Sequence, residues 1–539
     1  MDTHQDPITI SGQGLTVEHL VAVARQKAQI DFDNIVRSAV ESSRNFLDQM
    51  LDQEEVIYGV NTGYGGNVRF LIPHAEVNKH QENLLRFLCC GAGAPFPSDV
   101  VRGSILLRAN ALSKGYSAIR MSTLSRLGEL LNSDIVPIVP RYGSVGASGD
   151  LIPSAYIARA LLGEGTVWFQ GQEMKASEAL RQVGLAPIEL KAKEGLALVN
   201  GTSVMTSVAA LALHDVEYLA KLCVAAVALC AESLQATTDP FEESIHKVKN
   251  HPGQLEVARL LRDLTEGSAF ILELESLREE LRGDHQTVDA AFELEEAIQN
   301  PYSIRCAPQG LGPIFDSLAF AREVIEREMN SVNDNPLVDP HFRRVYHTGN
   351  FYGGHIARVM DGMKLDLANL ANWINALMAM IVDPRFSKGL PPNLSVKPGL
   401  SSGFKGMQLS LTSLTCACRQ MAGPSSIHTL PTEQYNQDIV SLGLHSATTA
   451  MEMVRLTRDA TAILLIALCQ CIDLRRAKSG DARMGKGTQR IYEEIRKQVE
   501  FLDSDRPMDR DLGQVSESIR QRSFDALDKF RGMGMEFSL

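Results

Sequence analysis

Apolar residues recur along this chain mostly at three- and four-residue spacing, the period of a helix that buries one face. Residues 204–234 run for 31 positions without Gly or Pro, which predicts a helix about 46 Å long. It is apolar around most of its girth, so other helices must surround it. It also carries His214, Asp215, Glu217 and Lys221, too many charges for a bilayer span. Residues 314–330 and 356–382 read the same way. Val440, Leu444, Ala447, Met451 and Val454 recur at 4,3,4,3 spacing, a seam for neighbouring helices. Strand signals are few and short, 167–169 before Gly171 being the clearest. The pattern predicts an all-α fold, an elongated bundle of long central helices with a loop-rich N-terminal region. We divide it into an N-terminal region (1–200), a central long-helix bundle (201–480) and a C-terminal helical region (481–539). No internal repeat or low-complexity tract interrupts it.

Composition changes this picture little. The chain is 44% hydrophobic and 22% charged with a net charge of -12, which argues against a nucleic-acid binder, since phosphate contacts need clustered cations. The densest basic run, Arg475-Arg476-Ala477-Lys478, reads as a solvated loop. Residues 1–7 are polar and lack the apolar core of a signal peptide, so no membrane association is expected. The nine cysteines sit largely at neighbouring or i,i+2 spacing. None forms a zinc pattern, and free thiols suggest a reducing cytoplasm.

The loops are the unusual part. They are rich in Gly and Asn: 58–67 (YGVNTGYGGN), 143–150 (GSVGASGD), Asn200-Gly201-Thr202 and Asn333-Asp334-Asn335-Pro336. Polar loops on a rigid helical frame are where sites tend to be placed. Three glycines in 143–149 permit backbone conformations that a side chain forbids, and Asp150 stands where it could cap a helix beginning at Leu151. Taken alone, the segment reads as a tight turn before a helix. A nucleophile elbow needs Gly-x-Ser-x-Gly, but Gly149 follows Ser148 directly, so the serine-hydrolase reading fails on spacing. Another chemistry fits. Attack of the Gly149 nitrogen on the Ala147 carbonyl closes a five-membered ring, and the resulting carbinol loses one water. Loss of water from Ser148 then leaves a conjugated methylene, a strong electrophile that a helix N-terminus would strengthen.

With the other loops added, the chain resembles the aromatic amino acid ammonia-lyases and aminomutases that carry a methylidene-imidazolone prosthetic group. The matching segments are 58–65 (YGVNTGYG), 143–151 (GSVGASGDL), 194–202 (EGLALVNGT), 302–309 (YSIRCAPQ), 333–336 (NDNP), 349–351 (GNF), 402–408 (SGFKGMQ) and 436–443 (NQDIVSLG). They lie in the family's order over about residues 15–510. The resemblance implies an all-α homotetramer whose active sites draw on three subunits. The substrate is a small aromatic amino acid and the electrophile is 4-methylidene-imidazol-5-one made from Ala147, Ser148 and Gly149, with no metal or nucleotide.

The same resemblance assigns roles. Tyr58 matches the tyrosine on the mobile inner loop that takes the β-proton. Tyrosine ordinarily titrates near about 10, so acting as a base near pH 8 implies a depressed pKa, which helix N-termini or cations could supply. Arg305 matches the arginine that holds the substrate carboxylate, for which a planar guanidinium fork is suited; without the flanking YSIRC it reads as a structural ion pair. Tyr302 matches a second active-site tyrosine. Asn200 and Asn335 match residues near the prosthetic group and the carboxylate, and Phe404 and Gln437 match others lining the pocket, although Phe404 alone reads as ordinary core.

Phe87 and Leu88 align with the family's ring-selectivity pair. Tyrosine-preferring members place a histidine at Phe87, and histidine ammonia-lyases carry Ser-His at the two positions. Phe87-Leu88 offers no polar partner, and a buried unsatisfied hydroxyl costs about 1–3 kcal/mol. Phenylalanine is therefore expected, unless Phe87 merely packs in the core. Glu433 matches the phenylalanine-type pattern Glu-Gln-x-Asn-Gln. Departures from the family pattern are Ser154-Ala155, Thr348, Gly354 and Asn300-Pro301; none removes a group the chemistry needs. The expected activity is phenylalanine ammonia-lyase, giving trans-cinnamate. The alternatives are a 2,3-aminomutase and a non-catalytic scaffold of the same fold. Residues 480–488 (GDARMGKGT) nearly spell a phosphate-binding loop, but Gly487 separates Lys486 from Thr488 and no strand precedes it.

Overall fold

The four stretches of unbroken helical periodicity form long helices in the computed structural model, which describes residues 6–283, 291, 297–480 and 482–524. The predicted 204–234 helix runs Ser203–Ser233. It stops where Gln235 turns left-handed (φ 48) and Ala236 N–H reaches back to Ala231 O at 2.8 Å, a Schellman-type end. The others run Ala307–Met329, with Pro313 inside, Gly354–Val382 and Gly443–Ser479. Strands are short. Thr166–Phe169 pairs antiparallel with Gln172–Lys175 across Gln170 and Gly171, both at positive φ (51 and 76), as a two-residue hairpin of matching twist requires.

Two compact units divide the chain. The first comprises Met1–His214, Ala321–Gly362 and Pro424–Met451; the second comprises Asp215–Phe320, Met363–Gly423 and Glu452–Leu539. Both are discontinuous in sequence, unlike the three contiguous blocks expected, with edges at 200 and 480. The difference has a simple cause: four of the five divisions fall inside long helices, where local pattern gives no break.

In the first unit Phe46, Leu47, Ile57, Val60, Val77, Ala118, Ala192 and Val338 form a buried apolar cluster. Ile57 and Val60 are almost fully buried and flank Tyr58, so apolar burial anchors the glycine-rich inner loop on both sides of its tyrosine. In the second unit, residues 460–472 of the Gly443–Ser479 helix are buried throughout. Arg475, expected in a solvated loop, is instead buried in that helix. Its guanidinium donates to Ser233 O (3.0 Å), Lys388 O (3.0 Å) and Ser387 O (3.1 Å). Three carbonyls compensate its desolvation, a pattern of distant partners that a basic run does not reveal. In the segment that nearly spells a phosphate loop, Gly485 N–H donates to Glu232 Oε1 at 2.6 Å, so a carboxylate occupies that helix start.

Gly354–Val382 is long and apolar enough to cross a membrane by length and composition. Its polar residues are served by protein groups, however. Asp361 accepts from Ser425 N (2.8 Å) and Ser426 N (3.0 Å), and Lys364 Nζ donates to Gly423 O at 2.6 Å. That is the chemistry of a core helix. All nine cysteines are free.

Candidate active site

The tripeptide Ala147-Ser148-Gly149 lies in the first unit, in a bend between the strand Pro140–Tyr142 and the helix Leu151–Leu161. Gly146 and Gly149 take φ of 70 and 71, values that β-carbons disfavour. Gly149 also has no space for one: an ideal Cβ would stand 2.1 Å from Gly201 O. The bend is clamped from both sides. Upstream, Ser441 Oγ donates to Gly146 O (3.1 Å) and Leu442 N–H to Val145 O (3.0 Å). Downstream, Asp150 N–H donates to Gly201 O (2.7 Å) and Ser144 Oγ to Gly149 O (3.2 Å). Gly149 N–H itself has no hydrogen-bond partner among the described residues. These are the features that ring closure asks for: a kinked backbone, a crowded glycine and a free nitrogen. The residues fit the prosthetic group.

Asp150 corrects one expectation. It sits at the N-cap position of Leu151–Leu161 but makes no side-chain cap there. Its carboxylate accepts Met205 N–H (2.7 Å) and the Ser144 hydroxyl (3.0 Å), so it caps the first turn of the Ser203–Ser233 helix instead. Complete burial pushes its pKa up to about 7, against the pull of those donors. Two helices thus begin at Asp150, the residue that follows the tripeptide: one in sequence, the other through its carboxylate.

One other expected residue touches it directly. Gln437 Nε2 reaches Ser148 Oγ at 3.4 Å. Asn200 is buried, and its Oδ1 lacks a partner among the described residues. Asn335 Oδ1 accepts Thr348 N–H at 2.7 Å, so Thr348, a departure from the family pattern, contributes backbone and not side chain here. Glu433 takes Gly66 N–H on both carboxylate oxygens (3.1 and 3.0 Å) and ties the inner loop to the 433–437 segment. Glu433, Gln434 and Tyr435 are all at positive φ (52, 55 and 60), a run of strained non-glycine backbone of the kind found at functional sites.

Tyr58 does not have the depressed pKa that the sequence analysis called for. Burial raises it, the Glu433 charge raises it further, and the Gly65 N–H donating to its oxygen at 2.9 Å opposes both. No cation lies among the causes of its shift. Loop partners that the sequence did not single out hold this region. His347 Nε2 accepts Tyr58 N–H (3.2 Å), and Gln81 spans Gly59 O (2.9 Å), Tyr64 Oη (3.0 Å) and Leu196 N (3.0 Å).

Phe87 and Leu88 end the helix Val77–Leu88. Leu88 is buried, whereas Phe87 is 60% exposed, so Phe87 is not a core residue of this chain. Tyr302, Arg305 and Phe404 belong to the second unit. Tyr302 and Arg305 share one helical turn, with the guanidinium 4.3 Å from the ring centroid. No carboxylate pairs with Arg305 among the described residues, and its Nε has no partner, so the structural ion-pair reading has no support. Phe404 is fully buried at the start of Lys405–Met421, where its N–H donates to Asn393 O (2.9 Å). Within this chain it acts as core. Also unforeseen is a group of buried charges behind Asn200. Lys193 Nζ and Asp334 Oδ2 are 2.6 Å apart and fully buried, and Arg108 donates to Asn200 O. Burial pushes both cations' pKa down, and Asp334 opposes this. Lone basic residues in apolar or glycine-rich stretches were the available signal.

A helical body presenting a clamped, kinked Ala-Ser-Gly and a glycine-rich inner loop fits the carbon–nitrogen ammonia-lyases. Known proteins agree. Residues 15–497 match the aromatic amino acid lyase family, and the chain belongs to that family, which uses the methylidene-imidazolone group. It is 41% identical to a "hal-like protein" of Dictyostelium discoideum over 97% of this chain and 98% of that one. It is 37% identical to a histidine ammonia-lyase of Streptococcus sanguinis, over 98% and 99%. The tyrosine aminomutase of Streptomyces globisporus superposes with a TM-score of 0.93 at 33% identity, covering 97% of this chain and 99% of that one.

Proposed function

We propose that this protein is a phenylalanine ammonia-lyase: a soluble, cytoplasmic homotetramer that eliminates ammonia from L-phenylalanine to give trans-cinnamate, without metal or nucleotide. The observation that carries the reading is the Ala147-Ser148-Gly149 bend, clamped on both flanks with the Gly149 nitrogen left free. Once formed from these residues, the prosthetic group supplies an electrophilic carbon that makes the substrate amine a good leaving group.

The chain's own residues do the rest. Arg305, free of any acidic partner among the described residues, takes the substrate carboxylate bidentately, with Tyr302 stacked on the guanidinium; Asn335 is assigned to the carboxylate by the family resemblance alone. Tyr58 accepts the β-proton. Asn200 and Gln437 orient the tripeptide end, Gln437 from its position at Ser148. Phe87 and Leu88 bound the ring end, and Glu433 holds the inner loop through Gly66 N–H. In a tetramer the exposed Phe87 becomes a pocket wall contributed to a site built from several copies. The relatives carry histidine and tyrosine names, but Phe87-Leu88 provides no group to satisfy an imidazole or a phenol, and leaving such a group unpaired is costly. A phenyl ring has no such requirement.

A 2,3-aminomutase is the second reading, favoured by the likeness to the tyrosine aminomutase. One assay separates them. Purified protein is incubated with phenylalanine, tyrosine or histidine, and every product is identified by chromatography. Cinnamate from phenylalanine is the expected result. β-Phenylalanine would favour the mutase, and turnover of histidine alone would overturn the substrate assignment.

A further inference from the structure

Arg108 lies in the run Ser104-Ile105-Leu106-Leu107-Arg108-Ala109-Asn110, on the helix Ser98–Ser113, whose residues from Val100 onward are all buried. A cation there needs a reason. An ion pair is not it: the Nε and Nη2 of Arg108 find no acceptor among the described residues. What Arg108 holds is a carbonyl, that of Asn200, through Nη1.

Behind that carbonyl the layers are thin. A Cβ added to Gly201 would lie 2.2 Å from Arg108 Nη1 and 2.3 Å from Asn333 Oδ1. A Cβ added to Gly149 would lie 2.1 Å from Gly201 O. Arg108, Gly201 and Gly149 are therefore stacked in direct contact, with no side chain between them. The Asp150 N–H bond to Gly201 O (2.7 Å) fixes the register of the two glycine strands. The short helix Glu194–Val199, which delivers Asn200, is fixed at its other end by the buried Lys193–Asp334 pair (2.6 Å). Asp334 Oδ1 also takes Asn335 N–H at 2.7 Å.

We propose that Arg108 is a positioning residue for the self-cyclisation of Ala147-Ser148-Gly149: it braces the Asn200-Gly201 backbone, which in turn keeps Gly149 bent toward Ala147. The inference rests on the tripeptide reading given above. Arg108 touches neither substrate nor reacting atoms and acts through Gly201. The planar fork sets the direction of the bond to Asn200 O, which a lysine ammonium on a flexible stem does not.

The test uses the full chain. Trypsin releases residues 142–159 as one peptide, whose mass reports cyclisation as a loss of two waters, independently of activity. In Arg108→Met, with helical circular dichroism and assembly size unchanged, the fraction of lightened peptide is expected to fall at least tenfold at a fixed time after synthesis. Arg108→Lys should recover part of it, and turnover per lightened site should match the wild type in both. Complete lightening in Arg108→Met overturns the inference while leaving the tripeptide reading intact. If Arg108→Met does not fold, Arg108→Lys decides, and lightening at the wild-type rate overturns it. A wild-type peptide at full linear mass overturns the tripeptide reading and this inference together.

Discussion

The interior of the Gly443–Ser479 helix is buried throughout, whereas the loops around Ser148 are partly exposed, and the two are held by opposite means. Along residues 460–472 eleven of the thirteen side chains are apolar and follow from a local three- and four-residue repeat, with Thr461 and Gln470 bonded to backbone. In the loop region the contacts are polar and join residues 141 to 367 positions apart: Gly66 to Glu433, Ser148 to Gln437, Lys193 to Asp334. An apolar core tolerates loss of any one contact at a cost in stability. A polar clamp sets geometry, so its loss should appear in chemistry first.

The largest expected effect separates the two regions. Ser148→Ala should reduce product formation, followed by ultraviolet absorbance of the acrylate, by about a thousandfold or more, while the melting temperature stays near that of the wild type. Leu465→Ala should do the reverse. Leu465 is fully buried, so denaturant unfolding should reveal a loss of about 2–5 kcal/mol, with kcat little changed in the protein that remains folded. Arg305→Lys keeps the charge but removes the fork. A drop in kcat/KM of roughly ten- to a hundredfold, carried mainly by KM, is expected from losing one charge-assisted hydrogen bond.

Two smaller effects concern protons. Glu433 raises the Tyr58 pKa, and a base works only when ionised. Glu433→Gln should therefore move the ascending limb of the kcat/KM–pH profile to lower pH; a limb that stays put would remove Tyr58 as the base or Glu433 as its neighbour. In the helical region, burial pushes the Asp366 pKa from 3.8 up to about 6, against the hydroxyl of Ser317. The folded state then holds this proton more tightly than the unfolded chain does. The resulting stability is fully present below about 3.8 and is lost as the pH rises through about 6. The wild type's melting temperature should decline across that window more than that of Asp366→Asn.

The same contrast governs what the sequence made legible. The helices at 203–233 and 354–382 were readable nearly to the residue, because a period of 3.6 is written locally. The roles given to the tripeptide, Tyr58 and Arg305 rest only on co-ordered motifs. The destination of the Asp150 carboxylate, the burial of Arg475 and the bracing by Arg108 were not readable. Each depends on a partner tens to hundreds of residues away whose type, a backbone N–H or C=O, is the same at almost every position. The Tyr58 pKa went the wrong way for a related reason. Burial and a neighbouring carboxylate decide it, and neither is visible in YGVNTGYG.

The central claim is that three small residues in a clamped bend become an electrophile. The most direct measurement is the intact mass of the purified wild-type protein. The account requires a chain two waters lighter than its sequence, with the deficit confined to residues 142–159; a chain at its full linear mass would contradict it.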